Sequence, residues 1–246
     1  MININDKSKE LNSKYLATTI SNNNVKINNI KLSNISQLYN NKKYYKVIFV
    51  LGNAGSGKNT QCDLLKEYYN LTHFSCGDLL RAEANKVQEN QNSNSDQHNS
   101  VSILINNCIK EGKIVPANIT CQLAKEEMNK KGKDNIYLID GFPRNTENLE
   151  GWYKVFESEC VILGVLEIDC KEETCIERIQ LRSKQSGRID DNLDSLKKRF
   201  KVFKEETLTN INLMSKVTNI IKIDGNKDNR EEVFNLIKTE FDKLLC

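Results

Sequence analysis

Two hydrophobic rhythms alternate along this chain. Residues 47–51 are an unbroken apolar run rich in β-branched side chains, which reads as a strand buried on both faces of a parallel sheet. The rhythm then lengthens: across residues 58–69, Cys62, Leu64, Leu65, Tyr68 and Tyr69 supply the inward stripe of a helix. Residues 72–75 form a short second strand, after which Asp78 is placed to cap a helix that carries Arg81 about one turn in. His73, in that strand, is expected to make an ordinary hydrogen bond rather than to shuttle protons. Val101, Leu104, Ile105, Cys108 and Ile109 form a helical stripe that stops at Gly112. Beyond Pro116, residues 118–130 form another helix through Ile119, Leu123 and Met128. Residues 136–140 and 161–169 are the third and fourth strands. In the helix over 172–181, Arg178 and Arg182 stand four apart and share a face. A long helix follows, with Leu193, Leu196, Phe200 and Phe203 as its stripe and Arg199 beside it. Residues 217–224 are the fifth strand, Gly225-Asn226 a turn, and Val233, Leu236, Ile237, Phe241 and Leu244 the inward face of the last helix. Strands alternating with helices from residue 46 onward predict an α/β fold, a five-stranded parallel sheet with helices on both sides.

Two stretches break this pattern. Residues 1–45 are asparagine-rich with scattered apolar positions of no clear period, so a disordered extension is expected there, ahead of one domain over 46–246. Residues 89–100, rich in Asn and Ser, read as a surface-loop insertion within a helical region. At 246 residues a single α/β domain suffices. A net charge of +3 gives no reason to expect a nucleic-acid or membrane surface, and no apolar run approaches a membrane span. Eight cysteines without a Cys-x-x-Cys spacing fit reduced thiols in a cytosolic setting.

The chemistry concentrates after the first strand. Gly52, Gly55 and Gly57 let the backbone coil and aim N–H groups inward, the following helix adds its positive end, and Lys58 supplies a cation: a cradle for phosphate. Asn59 occupies the slot where the usual loop has Ser or Thr for magnesium, and Thr60 comes one residue later. Asp140 ends the third strand, where open parallel sheets place ligand groups. It suits magnesium held through water, or else a cap for the helix after Pro143. Five arginines, at 81, 144, 182, 188 and 199, offer forked, permanently charged donors for phosphate oxygens.

The runs Gly52 to Cys62, His73 to Arg81, Glu111 to Pro116, Leu138 to Asn145 and Ser186 to Asn192 occur together in this order. The chain over about 46–246 thereby resembles the pyrimidine nucleoside monophosphate kinases, the UMP-CMP kinases of the adenylate kinase superfamily. Ala54 and Asn59 depart from that family's proline and glycine. The resemblance implies reversible phosphoryl transfer from ATP to UMP or CMP, with dCMP a further acceptor and Mg2+ accompanying ATP. It implies a monophosphate-binding subdomain over 76–113 and a short lid over 183–191. By the same resemblance ATP would lie against Asn53, Ala54, Gly55, Ser56, Gly57, Lys58, Asn59, Thr60, Arg178, Arg182, Gly225 and Asn226. The monophosphate would meet Ser75, Gly77, Arg81, Ile114, Val115, Gly141, Arg144, Asn148, Arg188 and Arg199. Lys58, Arg144, Arg182, Arg188 and Arg199 would carry the transfer, with Asp190 and Asp191 fixing the lid arginines and no residue binding metal directly. Asn148 stands where adenylate kinases have Gln, and rotation of its amide would serve either the 4-oxo group of uracil or the 4-amino group of cytosine.

Two other readings stay open: an adenylate kinase acting on AMP, and a catalytically silent nucleotide-binding protein, motivated by Ala54 and Asn59. A monomer in the cytosol, and in the nucleus as well, is expected. Removing residues 1–40 is expected to leave folding and activity intact, because their composition cannot supply core packing; a truncated protein that fails to fold in circular dichroism would refute this.

Overall fold

A computed structural model of the chain describes residues 44–89, 96–157 and 159–245. The expected N-terminal extension up to residue 43 and the centre of the Asn-rich insertion lie outside the described residues, and Tyr45, expected in that extension, instead opens the first strand and is buried in the core. The elements run β1 (Tyr45–Gly52), α1 (Lys58–Tyr69), β2 (Thr72–Ser75), α2 (Cys76–Glu89), α3 (Asp96–Glu111) and α4 (Ala117–Lys131). They continue with β3 (Ile136–Asp140), α5 (Thr146–Phe156), β4 (Cys160–Asp169), α6 (Glu172–Ser186) and α7 (Leu193–Val202). A π-helical turn (Phe203–Thr207) then leads into α8 (Leu208–Met214), β5 (Asn219–Asp224) and α9 (Arg230–Leu245). The five strands are all parallel, in the order β2-β3-β1-β4-β5.

The apolar run at the centre divides by parity, because successive strand side chains point to opposite faces. Tyr45, Val47, Phe49 and Leu51 enter one core with Tyr137 and Ile139 of β3 and with α4 and α5, while Ile48 and Val50 enter the other with α1 and α9. Burial on both faces leaves no room for polar side chains over residues 47–51 of β1, which is why that run does not alternate. The first core centres on Trp152, which stacks on Phe156 at 4.0 Å between centroids and meets Phe49 edge-on at 5.1 Å. Close approach of α4 and α5 depends on Gly151, where a Cβ would come within 2.7 Å of the Ala117 Cβ.

Several local expectations are corrected. Residues 96–100 belong to α3 rather than to a loop, and residues 183–186 extend α6 into the expected lid. Tyr68, Leu104, Leu193 and Leu236 are exposed rather than turned inward. Ser75, not Asp78, serves the start of α2, its Oγ accepting from the Asp78 N–H at 3.3 Å. Asn145, not Asp140, caps α5, accepting from the Asn148 N–H at 2.9 Å. The long helix expected after residue 192 is present and runs on through a π turn at Phe203–Thr207. His73 pairs with Asp63 at 3.1 Å, the ordinary bond expected of it.

Trp152→Ala should lower unfolding free energy by about 3–5 kcal/mol, the usual range for emptying a fully buried aromatic site. Denaturant unfolding followed by circular dichroism measures it, and a loss below about 1 kcal/mol would show that this core can collapse around the gap.

Candidate active site

At the carboxyl ends of the strands lies a cleft of about 400 Å³. One wall is the loop between β1 and α1. Gly55 has φ +87° and packs so closely on α6 that a Cβ would stand 2.5 Å from the Cys175 carbonyl oxygen. Gly52 is equally constrained, with 2.5 Å to the Ile168 carbonyl oxygen. Neither site tolerates a side chain, so the loop is held as a tight coil. Ala54 packs against Cys170, Cys175 and Ile179, and Asn59 is exposed, so both departures from the family pattern are accommodated without a clash. Lys58 curls back, its Nζ donating to the Gly52 and Asn53 carbonyls at 2.9 and 2.7 Å. Burial pulls its ammonium below the usual lysine range, while the charge of Asp140 works the other way.

Seven basic side chains and only two acidic ones line this cleft, so it is built for anions. Arg81 and Arg188 converge on one carboxylate: Asp78 Oδ1 accepts from Arg81 Nη2 at 2.6 Å and from Arg188 Nη2 at 3.1 Å. Partial burial opposes ionisation of Asp78, but the hydrogen bond and charge of Arg81 hold its carboxyl below the usual range. Arg182 forks onto Asp191 at 2.9 and 2.5 Å, and Arg199 donates to Asp190 at 2.5 Å. Burial, with the neighbouring charge of Arg144, brings Arg199 down to about 10. Arg144 is half-buried, and its Nε donates to the Gly141 carbonyl at 3.1 Å. Burial pushes Asp140 above the usual carboxyl range against the charge of Lys58, and its buried Oδ1 has no partner. Among the described residues, no group of three or more His, Cys, Asp or Glu side chains converges as a metal cage.

The expected site residues divide between two cavities. Ala54, Gly55, Gly57, Lys58, Asn59, Thr60, Ser75, Asp140, Arg178, Arg182 and Arg188 line the large cleft. Ile114, Val115 and Asn148 line a smaller adjoining cavity of about 50 Å³, and Gly77, Arg81, Gly141, Arg144 and Arg199 border both. Asn53 and Ser56 support the loop from behind the lining. Gly225 and Asn226 also stand back from it, tied to it because Arg178 donates to the Gly225 and Lys227 carbonyls at 2.9 and 2.8 Å. The Asn148 amide is not free to rotate as expected. Its Oδ1 already accepts from the Arg144 N–H at 3.2 Å, leaving Nδ2 buried and unpartnered as a donor. Sequence reasoning missed Val202, Phe203 and Thr207 as lining residues, and Asp78 as an arginine clamp. No motif marks the first three; the acidic charge one turn before Arg81 was a signal for the fourth.

The chain matches the adenylate kinase family over residues 50–219. It is 44% identical over 201 residues to a UMP-CMP kinase of Mus musculus and 43% identical over 201 residues to one of Homo sapiens. A UMP-CMP kinase of Gallus gallus is 41% identical over 201 residues. Each alignment covers 80% of this chain and 97% of the relative.

The Asp78 carboxylate occupies two guanidinium groups that face the cleft. Asp78→Asn should therefore bind pyrophosphate about two- to five-fold more tightly in calorimetric titration, the scale of a half-exposed ion pair. Unchanged or weaker binding would show that the carboxylate orients the arginines rather than competing for them.

Proposed function

We propose a reaction on one premise: the chain belongs to the adenylate kinase family. It transfers the terminal phosphoryl group of ATP reversibly to UMP or CMP, with dCMP a further acceptor. The observation that carries this reading is the joining of a cation-lined cleft to a small cavity holding Asn148, in a chain 44% identical to a UMP-CMP kinase.

The acceptor is itself a phosphate, mostly dianionic at neutral pH, so no general base is required. The task is to hold two anions in line and offset their repulsion, which is positioning and electrostatics. The loop N–H groups and Lys58 hold the donor phosphates once Lys58 exchanges the Gly52 and Asn53 carbonyls for phosphate oxygens. Arg81 and Arg144 grip the acceptor phosphate, and Arg182, Arg188 and Arg199 close over the transferring group from the side of Asp190 and Asp191. Arg178 braces the Gly225-Asn226 turn on the donor-base side. Asp140, whose buried Oδ1 has no partner, is the residue that would help hold magnesium, and the ion would supply positive charge to offset that of the phosphates.

Asn148 supports pyrimidine selection in a form different from amide rotation. With Oδ1 held by Arg144, the fixed Nδ2 donor suits an acceptor on the base edge: the 4-oxo group of uracil or N3 of cytosine. A monomer is proposed. Among the described residues no helix is long and apolar enough to cross a membrane. The cytosol, with the nucleus in addition, is the proposed location.

A coupled assay with UMP, CMP, dCMP and AMP tests the reaction. The pyrimidine monophosphates should be turned over far faster than AMP, and AMP as the preferred substrate would convert the reading to an adenylate kinase. Folded Lys58→Met and Arg144→Ala variants should each lose at least about a hundred-fold in kcat/KM, the scale of removing a positioned charge from a transition state; undiminished nucleotide binding with no turnover in the parent protein would mark a silent binder.

A further inference from the structure

The π turn at Phe203–Thr207 has no part in the reaction as described, yet it stands directly over Arg144. An α-helix advances about 100° per residue, so Arg199 and Thr207, eight residues apart, would diverge by about 80° on an unbroken helix. A π turn closes its ring one residue later, here through the Leu208 N–H to the Phe203 carbonyl. Taking up about one residue's rotation, it leaves the two only about 20° apart. Thr207 thereby joins Arg199, Val202 and Phe203 in lining the large cleft.

What Thr207 does there is specific. Its side chain is buried at 3% exposure, and its Oγ1 donates to the Arg144 carbonyl at 2.8 Å. On the other side of the same residue, the Arg144 N–H donates to Asn148 Oδ1 at 3.2 Å. Both main-chain polar groups of Arg144 are thus held by side chains from different helices, and its Nε by the Gly141 carbonyl. A second tie runs alongside, from Asn145 Nδ2 to Glu206 Oε2 at 3.1 Å. Arginine side chains are long, and a guanidinium can be aimed to a fraction of an ångström only when its own backbone is fixed.

We propose that Thr207, brought into register by the π turn, is a positioning residue that fixes Arg144 for the acceptor phosphate. The claim rests on the kinase reaction proposed above. Because Arg199 sits on the same helical rod, engaged to Asp190 at its other end, the π turn joins the cation on the Asp190 side to the cation on the acceptor side.

The test compares Thr207→Val, nearly isosteric but without the hydroxyl, with Thr207→Ser, which keeps it. Thr207→Val should raise the acceptor KM about ten-fold and lower kcat several-fold while the ATP KM stays unchanged, on the scale of one lost hydrogen bond to a part-buried carbonyl. Thr207→Ser should restore both. Wild-type constants in Thr207→Val, or equal rises in both KM values that Ser does not restore, overturn the proposal. Should Thr207→Val fail to fold, Glu206→Ala at the exposed companion tie decides: a raised acceptor KM alone supports the tether, and unchanged constants overturn it. Acceptor Kd from calorimetry carries the same comparison without turnover. A wild-type protein that binds UMP but transfers nothing would sink the reaction and leave the tether to be judged on Kd, while one that binds no monophosphate overturns both.

Discussion

Like charge gathered in a confined, partly dry cleft is the constraint on which this structure turns. Lys58, Arg81, Arg144, Arg182, Arg188 and Arg199 line it together, and burial with neighbouring positive charge penalises the charged forms of Lys58, Arg144, Arg188 and Arg199. Without anions bound, each is held by something else: Lys58 by loop carbonyls, Arg81 and Arg188 by Asp78, Arg182 by Asp191, Arg199 by Asp190 and Arg144 by Gly141. These partners are few and mostly carbonyls or shared carboxylates, so they satisfy the cations without neutralising the cleft. Phosphate oxygens complete what the protein leaves open, and the same excess charge that costs stability supplies affinity.

The parallel sheet makes that arrangement possible by delivering strand ends to one place. Its two apolar layers fix β1 and β3 side by side, with Val50 paired to Asp140, so the phosphate-loop glycines and the buried carboxylate emerge together. Tight contacts then lock the loop: the carbonyls of Ile168 and Cys175 stand where side chains would be at Gly52 and Gly55. The cleft is rigid at its glycine wall. Its opposite wall, carried by α2, α6 and α7, meets across side-chain ion pairs such as Asp78 with Arg188. Ion pairs that are half exposed can exchange partners at small cost, whereas packed backbone cannot.

The π turn shows the same logic at finer scale. A helix optimised for its own hydrogen bonds would face Thr207 away from Arg144, and the wider turn gives up regular geometry to bring it round. Irregularity tolerated in the middle of a helix is intelligible where a charged side chain must be aimed.

Much of this was legible in the residues. Periodicity located the five strands and most helix cores, because a buried run and an amphipathic stripe follow from geometry that each segment carries by itself. Spacing around Lys58 and the order of the arginine-bearing motifs indicated anion chemistry. Folding together decided the rest. Tyr68, Leu193 and Leu236 fit a helical stripe yet remain exposed, since burial depends on whether a neighbour arrives. Asp78 could cap a helix or bind an arginine; its bond to Arg81 is local, but its second partner, Arg188, arrives from 110 residues away. The Asn148 amide has two hydrogen-bonding ends in sequence and one in the fold, because the Arg144 N–H claims the other. Sequence alone determined which side chains can be charged and which segments can be regular; which partner each charge meets was decided by tertiary structure, since contact between residues distant along the chain is a property of packing and not of composition.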